Sequence, residues 1–185
     1  MKKSKLIASI LCSGALLFSG CGGGSGGSEN TTTTPPSTNP GQVLGITTII
    51  TTSGQAIQVD RTEGGFVFHG YEGKIVLLEV YGDTCPHCVA AIPSYNALQA
   101  KYPNDVVIIA LESWGTLTNA GKQQYLTVPK ANTGNMFKFI RESTGYGLQA
   151  VPYLMIMNRN GDIFYEKVLS DFPENEIEAQ IKNFL

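Results

Sequence analysis

An α/β domain with a mixed central sheet flanked by helices is predicted for this chain of 185 residues. Two nearly continuous apolar runs, Ile75–Tyr81 and Val106–Leu111, are short and lack polar alternation, the pattern of strands covered on both faces. Segments with helical spacing stand between the strand signals. The chain then closes with a strand, a turn, a strand and a helix, so helices and strands share one domain.

In order along the chain, Ile46–Thr52 and Phe66–His69 are β-branched or aromatic runs around glycine-containing turns and predict an N-terminal hairpin. Ile75–Tyr81 is the expected central strand. From Cys88 to Tyr102, Val89, Ile92, Tyr95 and Leu98 recur at helical spacing, and Val106–Leu111 follows as a second buried strand. Gly115–Gln124 reads as a short helix and Tyr125–Val128 as a short strand. Asn135–Ser143 reads as a helix with Met136, Phe139 and Ile140 on one face. Two late strands, Tyr153–Met157 and Ile163–Val168, flank the hairpin-turn signal Asn158-Arg159-Asn160-Gly161. A last helix runs from Pro173 to Phe184.

The N-terminal forty residues have a different composition. Lys2, Lys3 and Lys5 precede an apolar stretch from Leu6 to Phe18, and Ser19 and Gly20 stand before Cys21. This is the pattern of a signal peptide over residues 1–20, its apolar part too short to span a bilayer. The segment Phe18-Ser19-Gly20-Cys21 resembles a bacterial lipoprotein lipobox, with Phe18 where leucine is usual. That resemblance implies acylation of Cys21, and two or three buried chains give stable anchoring. Gly22 rather than aspartate follows the cysteine, which by the enterobacterial sorting rule favours the outer membrane. Residues 21–42 are rich in Gly, Ser, Thr and Pro and form a flexible tether with a mean reach of roughly 25 Å. The domain occupies 43–185.

Charge narrows the partners. The chain has 13 Lys+Arg against 15 Asp+Glu, and without Lys2, Lys3 and Lys5 ten basic residues face fifteen acidic ones, a net charge of −5. No basic run supplies the footprint of a nucleic-acid binder or of a membrane-docking patch.

Four cysteines are too few for a stapled scaffold. Cys12 leaves with the signal peptide and the lipobox resemblance implies lipid on Cys21, which leaves Cys85 and Cys88 in the domain itself. They form the motif Cys85-Pro86-His87-Cys88 directly after the central strand and at a helix start. Free N–H groups and the helix dipole favour negative charge there, which lowers the pKa of the first thiol. Pro86 suits the first helical turn, and a protonated His87 adds positive charge near Cys85, both favouring the reduced pair.

The same motif fits half of a zinc site, a structural disulfide or a Cu(I) carrier. Zinc needs four ligands, and the only further imidazole is His69, read as an ordinary surface residue. A disulfide across two residues closes too small a loop to stabilise the chain much. Soft thiolates with a histidine do select Cu(I), which leaves a non-catalytic metal carrier as the alternative function.

Glu79 lies six residues before Cys85 inside the apolar strand, Pro93 eight after it in the helix, and Val151-Pro152 precedes a late apolar strand. These offsets, with the run from Tyr146 to Pro152 and the turn at Asn160-Gly161-Asp162, resemble the thioredoxin superfamily from about Glu63 to Leu185. The resemblance implies a thioredoxin-like fold, a buried acid at Glu79, a helix kinked at Pro93 and a cis-Pro152 loop against the CxxC. It also implies a protein-disulfide oxidoreductase without cofactor or bound metal. Cys85 and Cys88 form its redox disulfide, Glu79 assists proton transfer, Pro152 presents backbone to the partner, and Pro86 and His87 tune the potential. The aromatic residues that often flank the first cysteine are replaced here by Tyr81-Gly82-Asp83-Thr84, and Trp114 has no assigned role.

From Cys88 to Pro152 is 64 positions, longer than minimal thioredoxin by about one central strand-helix insertion, a length that resembles the membrane-tethered TlpA/ResA branch of reductants. The CPHC motif instead resembles DsbA-type oxidants, so direction stays open. Expected partners are exported protein thiols and disulfides and an unidentified membrane or periplasmic redox partner, met by a lipid-anchored periplasmic monomer.

Overall fold

The computed structural model describes residues 42–115, 117–118, 125–133, 136, 140 and 150–185. The predicted signal peptide, Cys21 and the tether up to residue 41 lie outside the described residues, as does most of the predicted Gly115–Gln124 helix.

Eight strands and two long helices are described. The central sheet contains β4 (Ile75–Tyr81), β5 (Val106–Glu112), β6 (Leu126–Val128), β7 (Tyr153–Met157) and β8 (Ile163–Val168), in the order β6-β5-β4-β7-β8. β4 is parallel to β5, and β5 to β6, while β7 is antiparallel to both β4 and β8. The sheet is therefore mixed, as predicted. All seven residues of β4 and all seven of β5 are buried, because each strand has neighbours on both sides and is covered on both faces.

Alternation along β4 sorts its side chains into two cores. Val76, Leu78 and Val80 face one cluster with Val107, Ile109, Leu111, Met155 and Met157. Met136 and Ile140, four residues apart and helical, are fully buried in that cluster, while Phe139 and the rest of the predicted Asn135–Ser143 helix lie outside the described residues. On the opposite face, Ile75, Leu77 and Tyr81 meet helix α1 (Pro86–Lys101) through Cys88, Ala91, Tyr95 and Leu98, and helix α2 (Glu174–Lys182) through Ile177 and Ile181. Val89 is only half-buried, and Cys88 and Ala91 take the inward positions expected of it.

The N-terminal hairpin requires correction. β1 (Gly45–Ile50) pairs not with β3 (Phe66–Phe68) but with β2 (Ala56–Arg61), which also pairs with β3, giving a three-stranded antiparallel sheet. In β2 only Ile57 and Val59 point inward, and Gln58 and Asp60 point out. This half-buried alternation lacks the apolar run that marks β4. The small sheet supplies Ile49, Ile57, Val59, Phe66 and Phe68 to the first core. It is tied to the β7–β8 turn by Phe66 N–H to Gly161 O and Ile163 N–H to Gly64 O, both 2.9 Å. Gly161 turns that hairpin with φ of +89°, the left-handed conformation its sequence signal demands.

Among the described residues no helix is long and apolar enough to cross a membrane.

Candidate functional site

The C-terminal ends of β4 and β5, the N-terminal end of β7 and the N-terminus of α1 converge on Cys85. After Tyr81 the chain turns through Gly82, Asp83 and Thr84, and the Cys85 N–H closes the turn on Gly82 O at 2.9 Å. Cys85 is then the N-cap of α1, with extended backbone (φ −71°, ψ 122°) and no side chain capping the helix. Pro86 follows within the first turn, where its missing N–H removes no helical bond. The positive end of the helix dipole thus lies at the Cys85 position.

Both thiols are free and neither is open to bulk water: Cys85 is 5% exposed and Cys88 1%. Burial pushes the Cys88 thiol well above the ordinary range, and its hydrogen bond with Cys85 and the charge of Glu79 push it the same way. Pro86 and His87, between them in sequence, are exposed. The Cys85 thiol donates across 3.9 Å to the carbonyl of Val151. The Val151-Pro152 peptide bond is cis, and Pro152 is buried with its carbonyl accepting the Leu169 N–H at 2.9 Å. Ala150 is the first described residue of this loop.

Glu79 lies in the middle of the sheet on β4, 1% exposed, level with Ala110 of β5 and Leu154 of β7. Neither carboxylate oxygen has a hydrogen-bond partner. Burial raises its pKa from 4.5 to about 8, and the nearby Tyr125 hydroxyl offsets part of that rise. The sheet register explains the neighbourhood. Ala110 pairs with Thr127, so Tyr125, two residues earlier, falls on the Glu79 face, and the small Ala110 side chain leaves room between them. Tyr95 of α1 completes this layer, with its ring 5.8 Å from that of Tyr125 and 4.7 Å from that of Phe172, both edge-on.

Glu79, Cys85, Cys88 and Pro152 are therefore brought together, with Pro86 and His87 on the outer surface. Pro93 lies inside α1, exposed, away from the thiols. His69 is remote from them, bonded to Asp60 at 2.8 Å in the small sheet. Among the described residues, no group of three or more His, Cys, Asp or Glu side chains is arranged to hold a metal ion.

Sequence reasoning missed four residues here. Tyr125 was read only as the start of a strand. Asp83, fully buried two residues before Cys85, carried no signal beyond its place in a turn. Glu112, also fully buried, ends an apolar strand much as Glu79 sits within one, and that parallel could have marked it. Trp114 packs over Gly82, which no local pattern announces.

No family model and no curated protein matches this chain. Solved structures do. A thiol:disulfide interchange protein of the thioredoxin family from Chlorobium tepidum TLS superposes with a TM-score of 0.59 at 14% identity, over 80% of this chain and 99% of that one. The pneumococcal exposed lipoprotein thioredoxin Etrx1 from Streptococcus pneumoniae TIGR4 gives 0.56 at 14% identity, over 75% and 99%. StoA from Bacillus subtilis gives 0.53 at 14% identity, over 74% and 96%. At such identities the likeness is one of architecture, and it agrees with the mixed central sheet and its flanking helices: the chain has a thioredoxin-like fold.

Proposed function

We propose that this protein is a thiol-disulfide oxidoreductase that exchanges disulfides with exported proteins through Cys85 and Cys88, held in the cell envelope by lipid on Cys21. The observation that carries the reading is the placement of two free, nearly buried thiols at the head of α1, one against the Val151 carbonyl and the other beside the buried Glu79 carboxyl. Structural relatives named as thiol:disulfide interchange protein and as exposed lipoprotein thioredoxin support it.

Reduction of a substrate proceeds in two displacements. The Cys85 thiolate attacks one sulfur of the substrate disulfide, forming a mixed disulfide and releasing the other sulfur as thiolate. Cys88 must then lose its proton, which burial makes difficult, and Glu79 in its charged form accepts it. The Cys88 thiolate attacks the Cys85 sulfur, closing the Cys85-Cys88 disulfide and freeing the second substrate thiol. Two electrons have passed to the substrate, and an envelope redox partner returns them. Oxidation of a substrate dithiol is the same sequence in reverse. The Pro152 loop offers backbone groups to an extended segment of the partner. Residues 43–185 are the catalytic domain in this reading, 21–42 the tether and 1–20 the removed leader.

Trapping tests the proposal. Cys88→Ala removes the resolving thiol, so envelope proteins should accumulate as reductant-sensitive adducts on Cys85. Absence of such adducts would count against the mechanism. Equilibration with glutathione sets direction: a potential near about −120 mV marks an oxidant, and one below about −270 mV a reductant.

A further inference from the structure

Trp114 is the chain's only tryptophan, and it stands half-exposed, at 49%, in the loop after β5. The loop is fastened. Glu112, itself fully buried, accepts the N–H groups of Trp114 and Gly115, both at 2.6 Å. Ser113 donates to the Tyr81 carbonyl from both its N–H and its Oγ, each at 2.8 Å. These bonds join the loop to the last residue of β4.

The indole itself lies over Gly82. A Cβ at that position would meet Trp114 Cε2 and Cε3 at 2.7 Å, so the ring occupies the space that any other residue's side chain would need. Gly82 also accepts the Cys85 N–H. One short backbone segment therefore carries the indole on one residue and positions the reactive thiol through the next bond.

A buried carboxylate is costly unless its oxygens are bonded, and here both fix the loop backbone that carries Trp114, while the ring is seated on Gly82. A rigid aromatic surface loses little entropy when a partner covers it, which is the property of interface hot spots. The surrounding chemistry indicates what would cover it. Between Gly82 and Cys88 the exposed residues are Thr84, Pro86 and His87, and the one acid, Asp83, is buried. Val168, 47% exposed, stands at the end of β8 opposite Tyr153, at the same end of the sheet.

We propose that Trp114 is a specificity-determining residue of the exchange reaction, receiving an apolar or aromatic side chain that neighbours the reacting cysteine of the substrate polypeptide. This rests on Cys85 and Cys88 being the exchanging pair. Trp114 takes no part in bond making: the Cys85 sulfur still forms the mixed disulfide and the substrate's other sulfur still leaves as thiolate, while the indole holds the segment that carries the attacked sulfur.

The test uses the reduced wild-type chain and two ten-residue peptides, each with one cysteine blocked as its glutathione mixed disulfide and with Phe or Gly beside that cysteine. The wild type is expected to react roughly tenfold faster with the Phe peptide. In Trp114→Ala the ratio should fall to near one, and in Trp114→Phe most of it should remain. A ratio kept in Trp114→Ala, or equal loss on both peptides, would overturn the proposal, as would a wild type without preference. A wild type inert toward both peptides would instead overturn the oxidoreductase reading itself.

Discussion

The Cys85 thiol and the Val151 carbonyl, 66 residues apart in sequence, face each other across 3.9 Å. That contact joins the head of α1 to the loop before β7 and leaves Cys85 as the outer thiol, with Cys88 one helical turn deeper.

Alkylation should follow that order. Cys88 is nearly sealed and its proton is held tightly by burial, so thiolate is scarce there. One equivalent of iodoacetamide added to reduced protein is expected to modify Cys85 over Cys88 by about tenfold or more, read by peptide mass spectrometry. Preferential labelling of Cys88 would contradict the geometry.

Glu79 predicts a pH-dependent stability. Its folded pKa of about 8 lies above its ordinary 4.5. The folded chain therefore holds a proton that the unfolded chain releases as pH rises between these values. The contribution of Glu79 to stability is complete below about pH 4.5, declines through the window and is lost above about pH 8. Glu79→Gln removes this slope. Urea unfolding at pH 5 and pH 9 should show the variant gaining on wild type by on the order of 4 kcal/mol across that range. The same substitution should slow resolution of the mixed disulfide by about 10²-fold at pH 8, with the attack by Cys85 retained.

Tyr125→Phe tests the hydroxyl that acts on that carboxyl. Because the hydroxyl favours the charged form of Glu79, its loss should move the inflection in the pH–rate profile of resolution upward. An unchanged or lowered inflection would show that Tyr125 does not act on Glu79.

Glu112→Gln puts an amide where two N–H donors now meet a carboxylate, so one of them loses its acceptor. The expected cost is about 1–3 kcal/mol in unfolding free energy. Since Trp114 is the only tryptophan, its fluorescence reads the loop directly, and the emission should shift to the red as the indole leaves Gly82.

Much of the fold is written in local patterns. β4 and β5 are legible because strands covered on both faces must be apolar throughout, and the β7–β8 hairpin because Asn-Gly favours the backbone its turn needs. β2 escaped because a strand buried on one face spends half its residues on polar side chains. At the candidate site, the sequence offsets single out Cys85, Cys88, Glu79 and Pro152, which the fold brings together. Tyr125 and Trp114 were not legible, since strand pairing, not sequence distance, sets Tyr125 beside Glu79 and Trp114 over Gly82. Tyr125 falls on the Glu79 face only because Thr127, two residues later, pairs with Ala110, the partner of Glu79.

Cycling of Cys85 and Cys88 as one two-electron couple is open to direct measurement by redox titration of the purified chain in glutathione buffers. The expected result is a single transition with the slope of a two-electron couple, a mass loss of two hydrogens and a disulfide mapped to Cys85 and Cys88. Persistent glutathione adducts on a single cysteine, or no transition at all, would contradict it.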